Sequence, residues 1–417
     1  MGGVCDDGLR SIMNYEVKNR QKMKQYFQSK TIWLFIHAAI ILAISCIIAL
    51  CFISSTKSLS FFAVLEESGD EPMSDMYMYV NSRKCPDRLD TTITFVNIDL
   101  CEDRLEIARL IEQIDSLNPK VIGLDVLFEH RKDSKEDLIL ENVIHRCKNL
   151  VVTCELKNEQ DGNSDKYNSC NRNFFTGGEA DNLTEGFVNL DSDGNSPVET
   201  FTPKLFLQNE ESLDTLYCFA AQVARLYDKT AFQYLLKRHG NLEIIHFQPL
   251  QFYELGKNEM DDNKEFITGK IVLIGSFSED LHKTPVNPQM RGMEIHAHII
   301  STIIEKEKYI NRLDNIWTKL INILLCYLFA LFSWFVTDKI KKGIVIFIKL
   351  AQVAILLLAF FAGYYLFNHF RIDIAYTWTI IVMGVLILIV DIYHLCISMG
   401  SKWIIKLKKT YKNGKDS

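Results

Sequence analysis

Four stretches of this chain are almost continuously apolar, and a long segment between the first two mixes apolar and polar positions as a folded domain does. The apolar stretches run from Thr31 to Ile53, Ile316 to Val336, Ile344 to Phe367 and Ile374 to Ile397. Each is long enough to cross a hydrocarbon core of ~30 Å, which takes roughly 20 residues of helix. The first is too long for the apolar core of a leader peptide, and Ser54-Ser55-Thr56-Lys57 offers no Ala-x-Ala-like cleavage site. It reads as an uncleaved anchor.

The mixed segment carries shorter periods. Residues 54 to 90 are weakly periodic and predict a membrane-proximal connector with a turn at Asp70-Glu71-Pro72. Thr92 to Asp99 is a β-branched run typical of a buried strand. Leu105, Ala108, Leu110, Ile111, Ile114 and Leu117 then recur at helical spacing until Asn118-Pro119 stops them. Lys120 to Val126 predicts a second strand, Leu138 to Ile144 a second helix, and Leu150 to Cys154 a third strand. This alternation implies βαβ crossovers and a mainly parallel sheet.

Further along, Lys157 to Ala180 is Asn-, Asp-, Gly- and Ser-rich and predicts an exposed excursion. Gly186 to Asp191 and Val198 to Pro203, around Asp193-Gly194-Asn195, predict a hairpin. A helix over Leu213 to Tyr227, a strand over Glu243 to Phe247, a final strand over Lys270 to Gly275 and a helix over Met293 to Ile304 complete the segment. The fold class is thus an α/β domain with a mainly parallel sheet, joined to four transmembrane helices.

Charge orients the spans. Net charge is mildly acidic at −6, but basic residues gather beside the apolar stretches. Arg10, Lys18, Arg20, Lys22, Lys24 and Lys30 precede the first; Lys339, Lys341 and Lys342 follow the second; Lys402, Lys406, Lys408, Lys409, Lys412 and Lys415 fill the tail. Lysine and arginine are retained on the cytoplasmic side, so both termini belong inside and residues 54–312 outside. The expected layout is a cytoplasmic segment 1–30, spans 31–53, 316–336, 344–367 and 374–397, and a basic cytoplasmic tail 398–417. Nothing in this charge pattern points to nucleic acid. Within the spans, Lys349 and Asp391 fall at similar depth and are expected to pair, because intramembrane charges tend to face protein and each other.

Of the eleven cysteines, Cys85, Cys101, Cys147, Cys154, Cys170 and Cys218 fall in the expected outside region, where disulfides persist. Six cysteines allow fifteen pairings, and sequence alone does not choose among them. Cys46, Cys51, Cys326 and Cys396 lie in spans as small packing residues, and no Cys-x-x-Cys pair marks a zinc site.

The chemical candidates are few. Asp99 and Asp125 end strands of one parallel sheet, and the crevice at strand C-termini is the usual binding edge of such sheets. They suit a cation or polar ligand; alternatively each caps a helix or bonds a loop amide. His282, in the loop after the last strand, is expected at the same edge. Glu294, His296 and His298 invite a metal reading, but on a helix only Glu294 and His298 share a face, so structural histidines are favoured. No metal, cofactor or catalytic residue is assigned. Gly275-Ser276 lacks the further glycines of a dinucleotide fingerprint, and no Gly-x-Ser-x-Gly nucleophile occurs.

Four blocks in order resemble the CHASE2 family of extracytoplasmic sensory domains: the strand ending Asn97-Ile-Asp99; Asn118-Pro-Lys-Val-Ile-Gly-Leu-Asp-Val-Leu-Phe128; Gly269-Lys-Ile-Val-Leu-Ile-Gly275; and Gly292-Met-Glu-Ile-His-Ala-His298 leading to a span. The resemblance covers roughly Thr92 to Ile304. One departure is that Leu100-Cys-Glu-Asp-Arg104 stands where family members commonly carry a Trp- and Pro-rich turn. The resemblance implies one span, an outside sensory domain and three further spans in a bacterial inner membrane, coupled to a cytoplasmic effector. Only about twenty residues follow Ile397, fewer than the ~50 of a small folded domain, so no enzymatic output is expected in this sequence. The expected function is a receptor for an outside small-molecule or protein stimulus that signals through a separate membrane or cytoplasmic partner, with homo-oligomerisation compatible. The rival readings are an assembly subunit that docks through the same domain, and an ectoenzyme built on the strand-end carboxylates.

Overall fold

The computed structural model describes residues 31–51, 73–84, 88–132, 134–157, 167, 169–176, 183–190, 197–208, 213–238, 240–340 and 342–413. They form two compact units, one within residues 74–311 and one drawn from 1–73 and 312–417. Helix α1 spans Thr31–Cys51. Helix α2, Met73–Lys84, takes up part of the connector expected over residues 54 to 90. Its amphipathic signal is weak, and the packing of Tyr77 and Met78, each 1% exposed, anchors it instead. The Asp70-Glu71-Pro72 turn lies outside the described residues.

Strand β1, Arg88–Asn97, starts earlier than Thr92 and stops two residues short of Asp99. Helix α3, Arg104–Ser116, begins where the Asp103 side chain accepts the Glu106 amide, capping an orphan donor. It ends before Asn118, whose φ of 55° lies in the left-handed region and turns the chain into Pro119. β2 (Val121–Asp125), α4 (Ser134–Arg146) and β3 (Leu150–Lys157) follow. Between α3 and α4, Arg104 forms a buried ion pair with Asp137 and donates to His130 O at 2.7 Å.

The next region departs most from expectation. β4 (Ser169–Asn171) pairs antiparallel with the end of β3, inside the segment expected to be an exposed excursion. β5 (Thr184–Phe187) runs parallel to β3, and β6 (Thr200–Phe201) pairs instead with β9 (Glu243–Ile244). The hairpin expected over Gly186 to Pro203 therefore does not form; its turn residues lie outside the described ones. β7 (Lys204–Gln208) and β8 (Leu213–Tyr217) make an antiparallel pair where a helix was expected from Leu213. Helix α5 begins only at Phe219 and ends at Tyr227, and α6 (Lys229–Lys237) starts after Asp228, which caps Thr230 N and Ala231 N. Gly186 explains the choice made by β5: a Cβ there would stand 2.7 Å from Phe219 N, so only glycine lets α5 start this close to the sheet.

β10 (Leu250–Leu255) and β11 (Ile271–Gly275) complete the main sheet, whose order is β10-β1-β11-β2-β3 with β5 parallel on β3. Every residue of β11 is buried, as a strand covered on both faces requires. Val96, Ile122, Leu124, Val272 and Ile274 face α3 and α4 in one apolar cluster. The alternate positions face the opposite layer, where α5 packs on α7 (Gly292–Ile304). The short pair β12 (Leu281–His282) and β13 (Met290–Arg291) brackets the loop into α7.

In the second unit, β14 (Asn311–Leu313) pairs with β15 (Ile372–Ile374), so Ile374 lies in a strand rather than at the head of a span. The helices are α8 (Ile316–Lys339), α9 (Lys342–Phe370) and α10 (Thr377–Asn413). With α1, these are four helices long and apolar enough to cross a membrane. Their contacts are tightest between α8 and α10, and Ala38, Ile41, Ala330, Trp334, Leu386 and Val390 form the shared core with α1. α10 continues through the segment expected to be a separate tail.

Candidate functional site

Parallel pairing places Gly275 between Asn97 of β1 and Asp125 of β2 in register. The helices after β1 and β2 lie on one face, while α7, which follows β11, lies on the other. Diverging connections of this kind open a crevice at the strand C-termini. Asp99, Asp125 and His282 all come to this edge, but they do not act alike. Asp99 is committed to its neighbours, accepting Phe277 N and Ser278 N at 3.0 Å each. Burial pushes its carboxyl upward, and the bonds from Ser276, Phe277 and Ser278 outweigh that and hold it below the usual range. Asp99 is therefore a loop clamp.

Asp125 and His282 meet through Asp280, which the sequence reading passed over. Asp280 has a φ of 59°, a left-handed conformation that Asp tolerates better than most residues. Its carboxylate bonds His282 Nε2 at 2.7 Å, and its carbonyl accepts Gly292 N at 2.8 Å. A Cβ at position 292 would collide with that carboxylate, so glycine is what lets an acidic side chain sit against the N-terminus of α7. Negative charge is favoured there by the helix dipole.

The electrostatics follow from this packing. The Asp125 carboxyl is pushed up to about 7 by burial, reinforced by the Asp280 charge and opposed by His282. The hydrogen bond from His282 holds Asp280 below the usual range despite its burial. The same bond raises His282 against burial, and the Asp280 and Asp125 charges support it. Behind them His296, 3% exposed, packs edge-on against Phe219 and is lowered to about 4 by burial. One carboxyl near neutrality, one ion pair and one neutral imidazole thus share a strand-end cluster.

A second concavity lies beside β10, where a cleft of about 650 Å³ is lined by Gln248, Glu254, Asn287, Arg291, Glu294 and His298 among others. Arg291 is its centre: it bonds Glu254, lies 3.5 Å from Glu294 and stacks its guanidinium 4.5 Å from the Phe277 ring. Burial raises the Glu294 carboxyl, with Arg291 opposing. His298, 1% exposed and wedged edge-on between Phe247 and Phe252, is lowered to about 3 by burial, with the Lys308 charge adding. Glu294 and His298 share this lining, while His296 points into the other cluster, as the i, i+4 geometry of a helix dictates. Among the described residues no three His, Cys, Asp or Glu side chains converge as metal ligands. Arg291 was missed because a lone arginine before a glycine carries no motif.

In the helical unit the structure brings Lys349 and Asp391 together as an ion pair, and Lys349 Nζ also donates to Ile387 O at 2.9 Å. Two further polar contacts join side chains of the bundle: Gln352 donates to Ser333 Oγ at 2.7 Å, and His37 Nδ1 meets Tyr393 Oη at 2.8 Å.

A family model for the CHASE2 domain matches residues 46–335, from within α1 to within α8, and the chain belongs to that family. These are sensory extracytoplasmic domains, so the fold, the four apolar helices and the family together define a membrane protein of the sensory class. No curated protein and no solved structure matches the chain.

Proposed function

We propose that this protein is a receptor with both termini in the cytoplasm and residues 54–312 outside, and that its stimulus is read at the Arg291 cleft. The observation that carries the reading is the CHASE2 match running from one apolar helix to the next, over a domain that holds a polar cleft lined by charged residues. A small polar ligand with a carboxylate or other anionic group would compete with Glu254 and Glu294 for the Arg291 guanidinium, which suits bidentate recognition of anions. α7 carries Glu294 and His298 into the cleft, and the chain continues from α7 through β14 into α8, the proposed route of the signal. Output then passes to a separate membrane or cytoplasmic partner.

The test is a thermal-shift titration of the full-length protein in detergent against amino acids, dicarboxylates and sugar acids. A ligand at a hundredfold its Kd stabilises by about 2.7 kcal/mol, which is readily seen. The shift should vanish in Arg291→Ala. If every anionic class leaves the melting curve unmoved, the cleft is not the sensory site. Membrane orientation is checked on intact cells: an impermeant maleimide should label His130→Cys and leave Lys402→Cys untouched.

A further inference from the structure

Strands β3 and β4 run antiparallel with Leu156 opposite Cys170 and Lys157 opposite Ser169. Side chains two residues apart on a strand share a face, so Cys154 projects from the same face as Leu156. Cys170, opposite Leu156, projects there too. The two cysteines are diagonal neighbours, and their thiols hydrogen-bond each other. Cys154 is fully buried and Cys170 half-buried, so an outside reagent meets Cys170 first. Arg172, two residues on, hydrogen-bonds the Cys170 sulfur and is itself held by Glu185 at 3.2 Å. A guanidinium beside a partly accessible thiol favours the thiolate, the form that attacks disulfides.

We propose that Cys154 and Cys170 are a disulfide-forming pair that cross-links β3 to β4 in the mature protein. The inference rests on the outside placement proposed above, because disulfides persist only in oxidising compartments. The oxidant is a disulfide donor, either a small-molecule disulfide or an oxidised dithiol protein. The Cys170 thiolate attacks one donor sulfur, breaking the donor S–S bond and releasing one thiolate. Cys154 then loses its proton to that thiolate and attacks Cys170 Sγ, forming the cross-link and expelling the second donor thiolate. In total two thiols and one donor disulfide become one protein disulfide and two donor thiols, with two electrons passing to the donor.

The full-length protein is tested in two arms, each read by peptide mass spectrometry after alkylating free thiols under denaturing conditions. In the first arm, reduced protein in detergent is equilibrated with oxidised glutathione. The peptides holding Cys154 and Cys170 should appear joined and lighter by two hydrogens, and Cys170→Ser should leave Cys154 alkylated. Two alkylated cysteines after this treatment, or Cys154 joined elsewhere, would overturn the proposal on geometry. In the second arm, thiols are trapped with acid in whole cells before lysis. Finding the same linked peptides supports the native cross-link. Reduced thiols in cells whose purified protein links readily would overturn it for want of an oxidising surrounding, and the maleimide labelling of His130→Cys then shows whether the outside placement falls with it.

Discussion

Each of the two units holds a cation and a carboxylate together, and they do it with unequal thoroughness. In the 74–311 unit, Asp137 is fully buried; Arg104 pairs with it, and a second oxygen accepts Lys132 N at 2.8 Å. The guanidinium also lies 5.0 Å from the Phe174 ring. In the helical unit, Asp391 remains about half exposed and takes its cation from a neighbouring helix. The first pair is locked on every side, so its worth lies in what breaking it would strand. The second leaves about half of its carboxylate uncovered by the protein. A third arrangement, Asp125 at the strand edge, lacks a direct cation and relieves its burial by binding a proton near neutral pH.

The largest effect is expected where burial is complete. Arg104→Met should lower the stability of the domain by about 3–5 kcal/mol in urea unfolding, because it strands the Asp137 charge. The double variant Arg104→Met with Asp137→Leu should recover most of that loss. A single variant costing under ~1 kcal/mol would mean that Asp137 reaches solvent and that the contrast between the units is false.

A smaller effect should appear with pH at the strand edge. The Asp125 carboxyl is raised in the fold, so its contribution is present below the unfolded value of about 4 and is lost as pH rises through about 7. His282 is also raised, and its contribution is likewise lost on the alkaline side. Stability should therefore fall from about pH 4 to about pH 7 on account of Asp125, with His282 adding its own loss above its ordinary value of about 6.5. Asp125→Asn should flatten that fall by about 1–2 kcal/mol, discounted for the partial exposure of the group. Melting temperatures measured across this window in both proteins decide it; parallel slopes would remove Asp125 from the account.

The smallest effect belongs to the bundle. Lys349→Met and Asp391→Asn should couple by about 1 kcal/mol in a double-mutant cycle, since unfolded helices in a bilayer also find partners for polar groups. Additive losses would show two charges that merely lie close together.

How far each region could be read in advance follows the same division. The four apolar helices and the β1-α3-β2-α4-β3 run were legible, because a long hydrophobic period is set locally. The insertion between β3 and α5 was not. There Gly186 was expected to open one arm of a hairpin turning at Asp193-Gly194-Asn195, while its role is to admit the backbone of Phe219 against β5. β10 was also hidden: Leu250–Leu255 has neither strict alternation nor an apolar run, and it forms by pairing with β1 from far along the chain. At the strand edge, Asp99, Asp125 and His282 could be placed by rule. Asp280 could not, because its importance comes from a glycine twelve residues later that leaves room for its carboxylate.

That room has a mechanical side. With the Asp280 carbonyl bonded to Gly292 N and its carboxylate packed where a side chain would otherwise stand, the loop after β11 and the first turn of α7 share their degrees of freedom. The next residue back, Arg291, is the one that grips Glu254 across the cleft. α7 therefore cannot slide or rotate at its beginning without carrying the 276–282 loop with it. A displacement of Arg291 thus bears on a joint already tied to the loop by the Asp280 carbonyl.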